Sequence, residues 1–153
     1  EAEVSYTEAN TDDANVMVGL MDAIGANAMV DNGAGPKSSF SGAVFYKVDG
    51  GTNWKFRTSI GTTANTTDLI STDLNNLSKE TVGVSGSKKF RIEVEGDTVT
   101  ALKISGFVDD VLVAQHVVDC TSATEMQAGV YVKAGGSNAE TVTVKYAILG
   151  QNR

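Results

Sequence analysis

Phe90-Arg91-Ile92-Glu93-Val94-Glu95 alternates one apolar and one charged side chain over six residues. In an extended strand successive side chains point to opposite faces, so Phe90, Ile92 and Val94 share one face and Arg91, Glu93 and Glu95 the other. The same period of two recurs further on. Met126, Ala128, Val130 and Val132 alternate with Gln127, Gly129, Tyr131 and Lys133, and Val142, Val144, Tyr146 and Ile148 alternate with Thr141, Thr143 and Lys145. Long stripes of period 3.6 are missing, which selects strands over helices. Each run predicts a strand with one face in a core and one in water.

Working outward, the pattern predicts further strands at 3–7, 15–22, 43–48, 54–60, 99–107 and 111–118. Turn chemistry separates them. Asp49-Gly50-Gly51 predicts a hairpin, because glycine accepts positive φ without steric cost, and Gly96-Asp97 links another pair. Asp109-Asp110 predicts a tight turn in which aspartate tolerates the left-handed region. Ser105-Gly106, inside a strand, suggests a bulge. Two stretches, 25–42 and 61–87, read as long loops of the kind that are often functional or make contacts, the second with one helical turn near 74–77. Nine or ten short strands with alternating faces predict an all-β fold, an antiparallel two-sheet sandwich whose natural form is a jelly roll. No break in composition divides residues 1–153, so a single domain is expected. The chain begins Glu1-Ala2-Glu3-Val4 without a methionine, as a processed product or a piece of a longer polypeptide would.

Twelve Lys and Arg stand against 19 Asp and Glu, a net charge of -7. That balance argues against a nucleic-acid partner, whose phosphates need clustered basic residues, and against an anionic membrane. Lys88, Lys89 and Arg91 form the one basic cluster, and Glu93 and Glu95 follow it at once. The single cysteine, Cys120, can form no intrachain disulfide, and without a metal-ligand pattern it reads as a small buried apolar residue. No apolar run approaches the about 20 residues that a spanning helix needs.

Catalytic readings have little to draw on. Glu93, Glu95 and Asp97 share a strand face at a spacing of about 6.5–7 Å, which suits the paired carboxylates of glycoside hydrolases. Arg91 continues that face, and Gly96-Asp97 reads as a turn, so a solvated outer face explains the same residues. A Ser-His-Asp mechanism would have to use His116, the only histidine, which alternates with Leu112 and Ala114 on the face opposite Val111, Val113 and Val117. Neither a nucleophile elbow nor a phosphate loop is present. Asp12-Asp13, Asp31-Asn32 and Asp109-Asp110 offer oxygens of the kind calcium takes, yet none has the spacing of a calcium loop. No cofactor is therefore expected, structural calcium being the one candidate. Sugar binding would rest on aromatic faces, for which Tyr131, Tyr46 and Trp54 are the candidates. Tyr131 alternates away from Val130 and Val132, whereas Trp54 shares a face with Phe56, which assigns it to the core.

Residues 41–54 (SGAVFYKVDGGTNW) and 57–63 (RTSIGTT) resemble virion structural proteins of tailed bacteriophages with a concanavalin A-like jelly roll. Residues 90–94 (FRIEV) and 107–114 (FVDDVLVA) are similar to paired strands of that family, in which Asp-Gly is the commoner turn and Asp110 is a departure. Residues 12–16 (DDANV), Gly19-Leu20 and 138–141 (NAET) fit the same pattern. The resemblance spans most of the chain and transfers no catalytic residue. It implies a non-enzymatic component of a phage virion, a capsid decoration or head- or tail-associated protein. Such a protein would dock on other virion proteins in many symmetric copies. A carbohydrate-binding module or lectin-like adhesion domain, directed at surface glycans, is the alternative.

Overall fold

The computed structural model describes residues 1–7, 14–30, 34–51, 53–69, 87–136 and 139–150. Its strands are β1 (Ala2–Thr7), β2 (Ala14–Met21), β3 (Met29–Val30), β4 (Gly35–Pro36), β5 (Gly42–Lys47), β6 (Trp54–Ile60), β7 (Thr63–Leu69), β8 (Lys88–Glu95), β9 (Leu102–Val108), β10 (Val111–Val118), β11 (Gln127–Ala134) and β12 (Thr141–Ala147). Two five-stranded sheets pack face to face, one ordered β10-β9-β8-β1-β12 and the other β11-β2-β5-β6-β7. Every pairing is antiparallel. The fold is an all-β sandwich, as the period-two pattern predicts. Pairing is nested, with β1 against β12 and β2 against β11.

The main core lies between the sheets. Val4, Tyr6, Phe90, Ile104 and Val108 of the first sheet meet Val16, Val18, Phe45, Trp54 and Phe56 of the second. Four rings form its centre: Trp54 stands 4.9 Å from Phe90 and 6.0 Å from Tyr6, and Phe45 stands 5.1 Å from Phe90. Burying a large side chain of this kind is worth roughly 1.5–3 kcal/mol, so the aromatic block holds the sheets together.

Several expectations need correction. The bulge is real but lies on β10: Leu112 pairs with Phe107 and Ala114 with Gly106, which leaves Val113 as the extra residue. Gly106 serves packing instead, since a Cβ there would stand 2.8 Å from Phe45 and 3.0 Å from Phe56. The extra residue also shifts the alternation, so Leu112 is exposed while Val113 packs on the core. Residues 99–101 form a 3-10 turn and not a strand. On β12 a register irregularity between Glu3 and Val4 accompanies partial exposure, with Val144 at 45%. Ile148 lies beyond the strand and is exposed, and β11 starts at Gln127, after Met126.

The two expected long loops also contain more structure than the sequence suggests. In the second, Gly61 at φ 58 turns the chain tightly into β7, which pairs with β6. The helical turn expected near 74–77 lies outside the described residues. In the first, β3 and β4 pair as a small hairpin. The connecting segment carries Ala28, Met29 and Phe40 onto Met17, Met21, Val44 and Tyr46, making a second apolar layer on the outer face of β2 and β5.

Candidate functional site

The sequence candidates fall in three separate places. The carboxylates lie on the outer face of the first sheet. There Arg91 pairs with Glu93, and Lys103 reaches Glu95 at 2.5 Å. Arg91 also lies 3.9 Å over the Phe107 ring and 3.8–3.9 Å from Asp110 and Glu1. Lys145 joins Glu3 at 2.6 Å, and Tyr146 donates its hydroxyl proton to Glu1. Hydrogen bonds from Lys145 and Ser87 hold the Glu3 carboxyl below the usual carboxylate range. Asp97 follows Gly96 in the connection between β8 and β9, off the strand face that Glu93 and Glu95 share. The face is therefore laced by ion pairs, Arg91 with Glu93 along β8 and Lys103 with Glu95 and Lys145 with Glu3 across adjacent strands.

Asp109 and Asp110 form the turn between β9 and β10, both with positive φ, 49 and 66. Asp109 accepts hydrogen bonds from the Lys89 backbone at 3.0 Å and from Lys88 Nζ at 2.7 Å. Burial pushes its carboxyl upward, but these donors outweigh that and leave it below the usual value. Asp110 pairs with Lys89. Lysines thus occupy the oxygens that a cation would need at this turn. The pairs Asp12-Asp13 and Asp31-Asn32 lie outside the described residues. Among the described residues no three His, Cys, Asp or Glu side chains are grouped to hold a metal.

His116 points inward between the sheets. Its Nδ1 lies 2.9 Å from Thr58 Oγ1 and its Nε2 2.9 Å from Thr67 Oγ1, with the ring 5.4 Å from Phe56. A neutral imidazole donates from one nitrogen and accepts at the other, so two hydroxyls satisfy it completely. Burial pushes its pKa down. The imidazole thus ties the edge of one sheet to β6 and β7 of the other. Sequence reasoning puts His116 on a strand but cannot supply Thr58 and Thr67, which come from 58 and 49 residues away.

The aromatic candidates do not converge. Trp54 is wholly buried in the main core, its ring packed edge-on with Tyr6 and tilted against Phe90. Tyr46 and Tyr131 belong to the second layer, on the other side of the same sheet. Tyr46 is 6% exposed, and Tyr131 donates its hydroxyl proton to the Ala26 carbonyl at 3.0 Å.

Two features have no counterpart in the sequence reading. One is a cleft between the sheets, about 560 Å³ with its open mouth, bordered by Val18, Phe45, Phe90, Ile92, Val130 and Ile148. The other is the edge of β10, which among the described residues pairs with β9 alone and where Val111, Leu112 and Val117 are 63%, 50% and 66% exposed. An unpaired edge with apolar side chains offers backbone hydrogen bonds and apolar area to another strand. In comparisons with known proteins the chain matches no family model, and no curated protein or solved structure matches it significantly.

Proposed function

We propose that this chain is a non-enzymatic structural protein of a phage virion that works by docking on other proteins of the particle. The observation that carries the docking part is a contrast between two surfaces of one sheet. On its outer face Arg91 and Glu93, Lys103 and Glu95, and Lys145 and Glu3 are joined to each other. At its β10 edge the strand pairs, among the described residues, with β9 alone, and its apolar side chains Val111, Leu112 and Val117 are exposed. Groups already joined in pairs would have to break those contacts to work on a substrate, whereas an open edge needs only a partner strand. The virion setting rests on the resemblance of residues 41–54 and 107–114 to phage jelly-roll proteins. A net charge of -7 suits a protein held at high local concentration.

The test is mass spectrometry of particles purified on a density gradient from the source lysate. The protein is expected in the particle band at a fixed ratio to the main shell protein. Its absence from intact particles would overturn the reading.

A further inference from the structure

The two large sheets end in four edge strands, β10 and β12 on one, β11 and β7 on the other. Proteins guard such edges with charged side chains, lysine above all, because a bare edge pairs with any strand that reaches it. Three of the four follow that rule: β12 carries Lys145, β11 carries Lys133 and β7 carries Asp68. The fourth, β10, reads Val-Leu-Val-Ala-Gln-His-Val-Val and carries no charged side chain. Among the described residues it pairs with β9 alone. Its one titratable group, His116, is turned inward and held by Thr58 and Thr67. In a chain of net charge -7, this is the edge along which two copies can approach with no like charges facing each other.

We propose that β10 pairs antiparallel with β10 of a second copy, about a two-fold axis through His116. The bulge at Val113 chooses the register. It breaks the alternation at the start of the strand and leaves Ala114–Val118 as the regular stretch. Centred on His116, that stretch sets Val117 opposite Gln115 of the partner subunit, both on the outer face, and Ala114 opposite the partner's Val118, both on the inner one. Asp119 then falls opposite the partner's Val113, clear of the partner's Asp109 and Asp110. The two five-stranded sheets become one continuous ten-stranded sheet. This deepens the docking reading above, on which it rests, by naming a second copy as the partner of this edge.

Five paired residues on each side bury well below the roughly 800 Å² per partner of a standard interface, so the pairing is weak, on the order of 10–100 μM. Sedimentation equilibrium of the purified chain from about 5 to about 500 μM tests it, over a range that brackets that affinity. The wild type is expected to rise from the 16.0 kDa monomer mass toward twice that value. The double substitution Gln115→Lys/Val117→Lys sets lysine against lysine twice across the axis and is expected to hold the chain monomeric. Gln115→Lys/Val117→Glu sets lysine against glutamate twice and is expected to restore the dimer. Circular dichroism and thermal melting confirm that each variant is folded; Val117 is 66% exposed and Gln115 is exposed as well. A wild type that stays monomeric throughout, a dimer that survives the lysine pair, or a Lys/Glu variant as monomeric as the lysine pair would overturn the proposal. A monomeric chain still found in purified particles would remove the self-pairing and leave the virion reading standing.

Discussion

The guanidinium of Arg91 lies 3.9 Å from the centre of the Phe107 ring, across a directly registered pair of β8 and β9. The same side chain pairs with Glu93 and approaches Glu1 and Asp110. Arg91→Ala should therefore cost about 1–2 kcal/mol, the ring contact supplying most of it because exposed ion pairs are individually weak. Arg91→Lys should recover less than half of that, since an ammonium cannot stack its plane on the ring and fork to several carboxylates together. Urea unfolding of the three proteins measures both effects.

Gly106 is fixed by its neighbours and not by its backbone. Gly106→Ala should destabilise by about 1–3 kcal/mol, because the added methyl meets two packed rings, Phe45 and Phe56, that have little room to withdraw. Combining it with Phe45→Leu should be less costly than the sum of the two changes, and a double-mutant cycle from urea midpoints reads that coupling.

Acid should loosen the sandwich in two steps. Burial depresses the folded pKa of His116 below its ordinary 6.5, so its contribution is complete above pH 6.5 and declines as the pH falls below that value. Glu3 and Asp119 are lowered by their hydrogen bonds, and at Asp22 and Asp109 hydrogen bonds outweigh a burial that acts upward, so all four add a further loss below about pH 4. His116→Gln should abolish the decline that sets in below pH 6.5 and leave the lower step. Unfolding free energies measured at intervals from pH 8 to pH 3 check this.

Tyr46→Ala should release the cover over the second sheet. Tyr46 is buried against Met17, Met29 and Val44, and the loss should be about 2–4 kcal/mol. Limited proteolysis is expected to cut first between Ile24 and Phe40 in this variant, while Tyr131→Phe, which loses one exposed hydrogen bond to Ala26, leaves the cleavage rate nearly unchanged.

The sequence reveals some of these strands at full length and conceals others, for physical reasons. β6 and β10 match their predicted limits because Trp54, Phe56 and Ile60, or Ala114 and Val118, mark one buried face. β7 is missed because Thr63-Ala-Asn-Thr-Thr-Asp-Leu69 buries only Leu69, and its place depends on pairing with β6. The second apolar layer did leave a sign: β5 is buried at all six positions, and a strand apolar on both faces needs a cover on each. The candidate sites were legible as residue types and illegible as places. Tyr46 and Trp54 lie on opposite faces of one sheet, and the two threonines that hold His116 come from strands far away in sequence.

The nested pairing has a consequence in time. β1 can complete its pairing only with β8 and β12, and β2 only with β5 and β11, so β1 and β2 must wait for strands made much later. At roughly 5–20 residues per second, a ribosome needs about 7–30 s to pass from Ala2 to Ala147. For that interval Val4, Tyr6 and Val16 have no finished core to enter, and closure over so long a span is itself slow. The nascent chain passes through a stage in which its own unpaired strands, and those of neighbouring chains, compete for the same edges.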